Sequence, residues 1–113
     1  MCTKAEALSI LKESYESFKK EFPGRIRDAY LYGSFARGDY DDESDVDILF
    51  TVDAEPEEIS RYQRELSYIN SELSLLHNVT VSATVKSKQL FDRYGDDLPY
   101  YKNVRQEGIL YAE

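Results

Sequence analysis

At 113 residues the chain has room for one domain spanning 1–113, since domains typically run to roughly 100–150 residues. Its 42% hydrophobic and 32% charged residues match a folded globular protein rather than a disordered one, and no apolar run approaches a membrane span. The formal net charge of −8 argues against a polynucleotide partner, because proteins that grip a nucleic-acid backbone gather Lys and Arg to displace counterions.

An acidic chain can still bind a nucleotide when a divalent cation stands between its carboxylates and the phosphates. The balance therefore favours a small metal-bound nucleotide or a basic protein as partner. The N-terminal residues show helical spacing instead of the long apolar region of a secretion signal, so a cytoplasmic location without membrane attachment is expected. One cysteine, Cys2, cannot staple the fold.

In chain order, Thr3-Lys4-Ala5-Glu6 has the form of a capping box, which predicts a helix start. Leu8, Leu11, Tyr15, Phe18 and Phe22 follow at helical intervals as one core stripe, ended by Pro23-Gly24. Residues 25–32 read as a first strand that delivers the chain to Gly33. Residues 38–44 are a polar connector of solvated charges, and 46–52 alternate as a second strand. An Asp53 cap with Pro56 behind it opens a long helix whose stripe is Ile59, Tyr62, Leu66, Ile69, Leu73 and Leu76. Val79, Val81, Ala83 and Val85 alternate with polar residues as a third strand. The tail reads as helices over 87–94 and 98–107, and Ile109-Leu110-Tyr111 as an edge strand or a docking segment.

The connector between the first two strands is too short for a helical crossover, which predicts an antiparallel pair. Strand, long helix and strand then predict a parallel unit. The fold class is α+β: a small mixed sheet with helices packed mainly on one side, in the order α-β-β-α-β followed by a helical tail.

The chemistry concentrates in residues 31–50. Gly33 permits close backbone approach to a phosphate, Ser34 supplies a hydroxyl, and the following turn offers free N–H groups. Arg37 adds a forked cation. Asp45 and Asp47, two apart at a strand start, leave the same face, and two like charges held together call for a hard cation such as Mg2+. Each part alone has a bland reading as turn, surface charge or solvated strand end. Their combination is more specific.

That combination, Gly33-Ser34-Phe35-Ala36-Arg37-Gly38 through Ser44-Asp45-Val46-Asp47-Ile48-Leu49, resembles the nucleotidyltransferases related to DNA polymerase beta. Within them the chain looks like the minimal nucleotidyltransferases that serve as antitoxins to HEPN-domain proteins. The resemblance implies a nucleotidyltransferase fold and Mg2+-dependent transfer of a nucleoside monophosphate, AMP from ATP, to a hydroxyl, in that branch a tyrosine of the HEPN toxin. It implies phosphate binding by Gly33 and Ser34, with Arg37 beside them, and metal binding and catalysis by Asp45 and Asp47.

The chain departs from the pattern in one respect. Many relatives carry a third carboxylate on the strand after the long helix, where this chain has Thr80 or Ser82, neither of which is a base at neutral pH. The alternative expectation is therefore a catalytically weak or inactive module that neutralises a partner by occlusion. His77, at the end of the long helix, reads as a cap or surface residue. Oligomeric state is left open.

Overall fold

A computed structural model describes residues 2–112. Its elements are α1 (Lys4–Glu21), β1 (Ile26–Tyr32), α2 (Ser34–Arg37), β2 (Val46–Val52), a 3-10 turn (Pro56–Glu58), α3 (Ile59–His77), β3 (Val81–Ser87), α4 (Lys88–Tyr94), α5 (Pro99–Glu107) and β4 (Ile109–Leu110). The sheet order is β3-β2-β1-β4. As expected, β1 pairs antiparallel with β2, and β2 pairs parallel with β3 across the α3 crossover. Ile109-Leu110 takes the edge-strand option, antiparallel to β1. No described helix is long and apolar enough to cross a membrane.

The main core lies on one side of the sheet. Ala29 and Leu31 of β1, Val46, Ile48, Phe50 and Val52 of β2, and Val81, Ala83 and Val85 of β3 meet α1 and α3 there. Phe18 of α1 packs 4.9 Å from Phe50, and Phe22 stacks on Tyr62 of α3 at 4.0 Å. Such aromatic pairs contribute beyond their burial and fix the two helices against each other. The opposite face carries a smaller cluster of Leu49, Phe91 of α4 and Val104 of α5.

Four local expectations are corrected. The buried stripe of α1 is Ala7, Ile10, Leu11, Ser14 and Phe18, so Leu8 falls on the flank, 37% exposed, beside Ile109 and Leu110. Leu76 is exposed as well, because the face of α3 that meets the sheet ends at Leu73. Asp53 does not cap α3: its N–H bonds to Arg25 O and its carboxylate pairs with Arg27 at 2.8 Å. The helical turns begin two residues later, where Glu58 accepts the Glu55 N–H. Finally, β3 starts at Val81, not Val79, because Asn78 turns left-handed (φ 52°) and the Val79 N–H still reaches back to Ser74 O.

The outer edge of β3 is closed by side chains of α3. Asn70 donates to Ala83 O and accepts from Ala83 N–H, Gln63 accepts from Val85 N–H, and Ser74 Oγ accepts from Val81 N–H. A strand edge left open invites pairing with another chain. Here three polar residues on the sheet-facing side of α3 occupy that edge.

Candidate functional site

Gly33 ends β1 in a conformation (φ 76°, ψ −156°) that is essentially restricted to glycine. A Cβ at this position would lie 2.5 Å from Asp47 Oδ2, so the missing side chain is what lets the loop sit against the carboxylate. The amides of Ala36 and Arg37 fold back onto Gly33 O, and those of Ser34 and Phe35, as the first of a helical turn, have no partner within it. Phe35 is fully buried and stacks on Tyr40 at 4.5 Å, which pins the turn from below. The loop is thus held rigidly with its donors outward.

The connector that leads to Asp45 is more ordered than a string of solvated charges. Asp41 Oδ1 accepts from the Glu43 N–H at 2.9 Å, and Ser44 Oγ accepts from the Asp41 N–H at 2.9 Å. This side-chain-closed turn sets the entry of β2.

Asp47 faces the side of the sheet opposite the main core, with Tyr32 of β1 and Ser82 of β3 as its register partners. Burial, and then the neighbouring Asp45, push its carboxyl up to about 6 from an ordinary 3.8. Asp45 is exposed, one residue before the strand. The expected pairing is therefore asymmetric: one half-buried carboxylate and one at the lip. Among the described residues no three His, Cys, Asp or Glu side chains converge into a metal cage. A cation here would find two carboxylates and complete its shell with phosphate oxygens and water, the usual arrangement for Mg2+.

Tyr32, Gly33, Ser34, Arg37, Asp47, Tyr100, Asn103 and Glu107 together line a cavity of about 370 Å³. Four of the five residues singled out from the sequence thus share one wall. The fifth, Asp45, opens onto a neighbouring hollow of about 610 Å³ lined by residues 41–45 and 77–80 with Cys2, Glu6 and Phe35. That larger hollow is ringed by carboxylates and offers an anion little, whereas the smaller one gathers Gly33, Ser34 and Arg37. His77 lies on the rim of the larger hollow, its Nε2 2.6 Å from Glu13 Oε2, a tie between α3 and α1 away from the Gly-Ser loop.

Arg37 is committed to Asp39 at 3.2 Å and Glu107 at 3.3 Å. Both pairs are exposed, and pairs of that kind exchange readily for a stronger anion. Sequence reasoning missed Tyr32, Tyr100, Asn103 and Glu107. The last three share one face of α5 at i, i+3 and i+7, a polar grouping whose meaning appears only once Val104 docks beneath the sheet. Tyr32 and Tyr100 hydroxyls meet at 2.8 Å, and burial followed by that contact pushes Tyr32 well up, so it keeps its proton.

The sequence profile of the nucleotidyltransferase domain matches residues 11–111, from within α1 to the end of the tail. The chain belongs to the nucleotidyltransferase domain family. A candidate protein adenylyltransferase of Methanocaldococcus jannaschii is 36% identical over 102 residues, covering 89% of this chain and 94% of that protein. A second from the same organism is 33% identical, covering 85% and 95%. Among solved structures, a candidate nucleotidyltransferase from Sulfolobus solfataricus superposes with a TM-score of 0.64 at 26% identity, covering 97% of this chain and 83% of that one. A toxin-antitoxin complex with AMP-PNP shares the fold at a TM-score of 0.54 and 17% identity, over 88% of this chain and 70% of that one. For this nucleotidyltransferase, the match places the Gly-Ser loop and the Asp-x-Asp strand inside a fold shared along nearly the whole chain.

Ser82 sits directly beside Asp47, while Thr80 precedes the strand and accepts the Val46 N–H through its carbonyl. Of the two, Ser82 is the neighbour of the carboxylate.

Proposed function

We propose that this nucleotidyltransferase moves AMP from Mg-ATP to a protein hydroxyl, a tyrosine of a HEPN-domain partner, and so acts as an antitoxin. The observation that carries the reading is the contact of Gly33 with Asp47, which puts phosphate donors against a carboxylate whose charge the site disfavours. Relatives described as candidate protein adenylyltransferases support the nucleotide and the acceptor class. The toxin-antitoxin neighbour supports a toxin as the kind of partner.

In this reading the amides of Ser34 and Phe35, the Ser34 hydroxyl and Arg37 hold the β- and γ-phosphates, with Arg37 leaving Glu107 to do so. Asp45 and Asp47 hold Mg2+, which when bound neutralises charge on the reacting phosphate. Tyr32 and the α5 face narrow the cleft and limit water access. The acceptor oxygen replaces pyrophosphate at the α-phosphorus, and positioning supplies much of the rate because there is no covalent intermediate to build. The test is incubation with ATP labelled at the α-phosphate, Mg2+ and the HEPN partner. Label on the partner that vanishes with Asp45→Ala and Asp47→Ala is expected. Label that survives both substitutions would remove the reading.

Ser82 beside Asp47 favours a second reading, a module that neutralises the partner by occlusion. It predicts that Asp47→Ala leaves both complex and protection intact.

A further inference from the structure

Tyr100 brings a hydroxyl into the cavity lined by Gly33, Ser34 and Asp47. In the sheet, Tyr32, Asp47 and Ser82 form one cross-strand row, and Tyr30, Leu49 and Thr84 the next. The Tyr100 hydroxyl contacts Tyr32 OH at 2.8 Å and Thr84 Oγ1 at 3.4 Å. It therefore links side chains of β1 and β3, the two strands that flank β2 and Asp47. Its ring also packs edge-on against Tyr32 at 5.7 Å. The phosphate donors Gly33, Ser34 and Arg37 sit at the β1 and α2 side of the same cavity, whereas Thr84 lies on the far side of β2. The Tyr100 hydroxyl thus shares one cavity with the Gly-Ser loop and with Asp47.

The tail holds this hydroxyl in place. Val104 is fully buried, Tyr101 packs on Phe91 at 5.2 Å, and Arg105 clamps α5 to α4 through Phe91 O at 3.1 Å and Asp92 at 3.2 Å. Tyr100 itself is 40% exposed, so its neighbours leave space for an added group at the mouth of the cleft.

We propose that Tyr100 is a modification site of this chain, adenylylated in cis by its own Gly-Ser and Asp-x-Asp site. The proposal rests on the adenylyl transfer of the preceding section. The Tyr100 oxygen forms a bond to the α-phosphorus of ATP, and the bond from that phosphorus to the oxygen bridging to the β-phosphate breaks. Pyrophosphate leaves with the electron pair, and the phenolic proton passes to solvent at the open mouth. The adduct occupies the cavity that the next nucleotide needs, so the reaction stops at one AMP per chain.

The experiment incubates the full chain alone with Mg2+ and ATP labelled at the α-phosphate, then maps the label by peptide mass spectrometry. A parallel reaction adds the HEPN partner. Expected are label on Tyr100 saturating at one AMP per chain, a labelled fraction whose rate is independent of protein concentration, and at least a tenfold loss of self-label in Tyr100→Phe. Asp47→Ala chains mixed with unsubstituted chains, told apart by mass, should stay unlabelled, since transfer in cis cannot rescue them. Label on the partner with none on this chain, label on another residue, or label on the Asp47→Ala chains would overturn the proposal and leave adenylyl transfer standing. Absence of both label and pyrophosphate release would remove the transfer reading, and this proposal with it.

Discussion

The two faces of the sheet are built to different rules. Toward α1 and α3, the residues that β1, β2 and β3 contribute to the main core are all apolar and almost free of solvent. Toward α4 and α5, the sheet offers Asp28, Tyr30, Tyr32, Asp47, Thr51, Ser82 and Thr84, with Leu49 as the buried apolar anchor. Part of that polar face is neutralised internally: Asp28 accepts from Thr51 at 2.7 Å and from Lys88 at 2.8 Å. Around Asp47 it is not, and that is where the cavity lies. One face supplies stability and the other holds the candidate site, because charge can be desolvated near a binding site only if the rest of the fold tolerates the cost.

That contrast can be broken or sharpened by substitution. The largest effect is expected for Phe18→Ala, which removes a fully buried ring touching Phe50, Phe22 and Tyr62. A loss of about 3–5 kcal/mol in urea unfolding is expected. A loss below about 1 kcal/mol would mean that this face does not carry the stability. Next comes Asp47→Ala, expected to lower transfer on the order of 100-fold or more while the circular dichroism spectrum is unchanged. Unfolding of this variant would erase the division between the faces.

Asn70→Ala should cost about 1–3 kcal/mol, because it strands the Ala83 N–H and leaves the Ala83 carbonyl only its bond from Gln63. It also opens the β3 edge, so concentration-dependent association in light scattering is expected alongside the lower melting temperature.

The smallest effect is a gain. The folded-state pKa of Asp47, about 6, lies above its ordinary 3.8, so between those values the folded chain binds the extra proton. Stability contributed by this group is therefore lost as pH rises through that window. Asp47→Asn should stabilise the chain at pH 7 by about 1 kcal/mol, after allowing for solvent screening of a half-buried group. The gain should disappear near pH 4. A melting series across pH that shows equal stability at both ends would refute the assignment.

Much of the fold could be read in advance because apolar spacing and burial coincide where an element has one buried face. The alternation of Val81, Ala83 and Val85 and the stripe Tyr62, Leu66, Ile69 and Leu73 are of this kind. Reading failed where a tertiary partner set the phase. Leu8 and Leu76 fit their stripes by spacing, yet the sheet ends before it can cover them. Asp53 looked like a cap until Arg27, far away in sequence, claimed it.

For the site the division is similar. Gly33, Ser34, Arg37, Asp45 and Asp47 lie within one short stretch, and glycine before a turn and two acids at a strand start have local physical consequences that need no distant partner. The sequence by itself therefore determined the Gly-Ser loop, the two carboxylates at the start of β2 and the order of elements. Tertiary structure decided how the cavity is completed, because Tyr100, Asn103 and Glu107 reach it only when Val104 docks under Leu49. It also decided that Arg37 is already paired across the cleft and that Ser82 stands beside Asp47. Contacts between residues so far apart in the chain depend on packing and register, which local spacing does not specify.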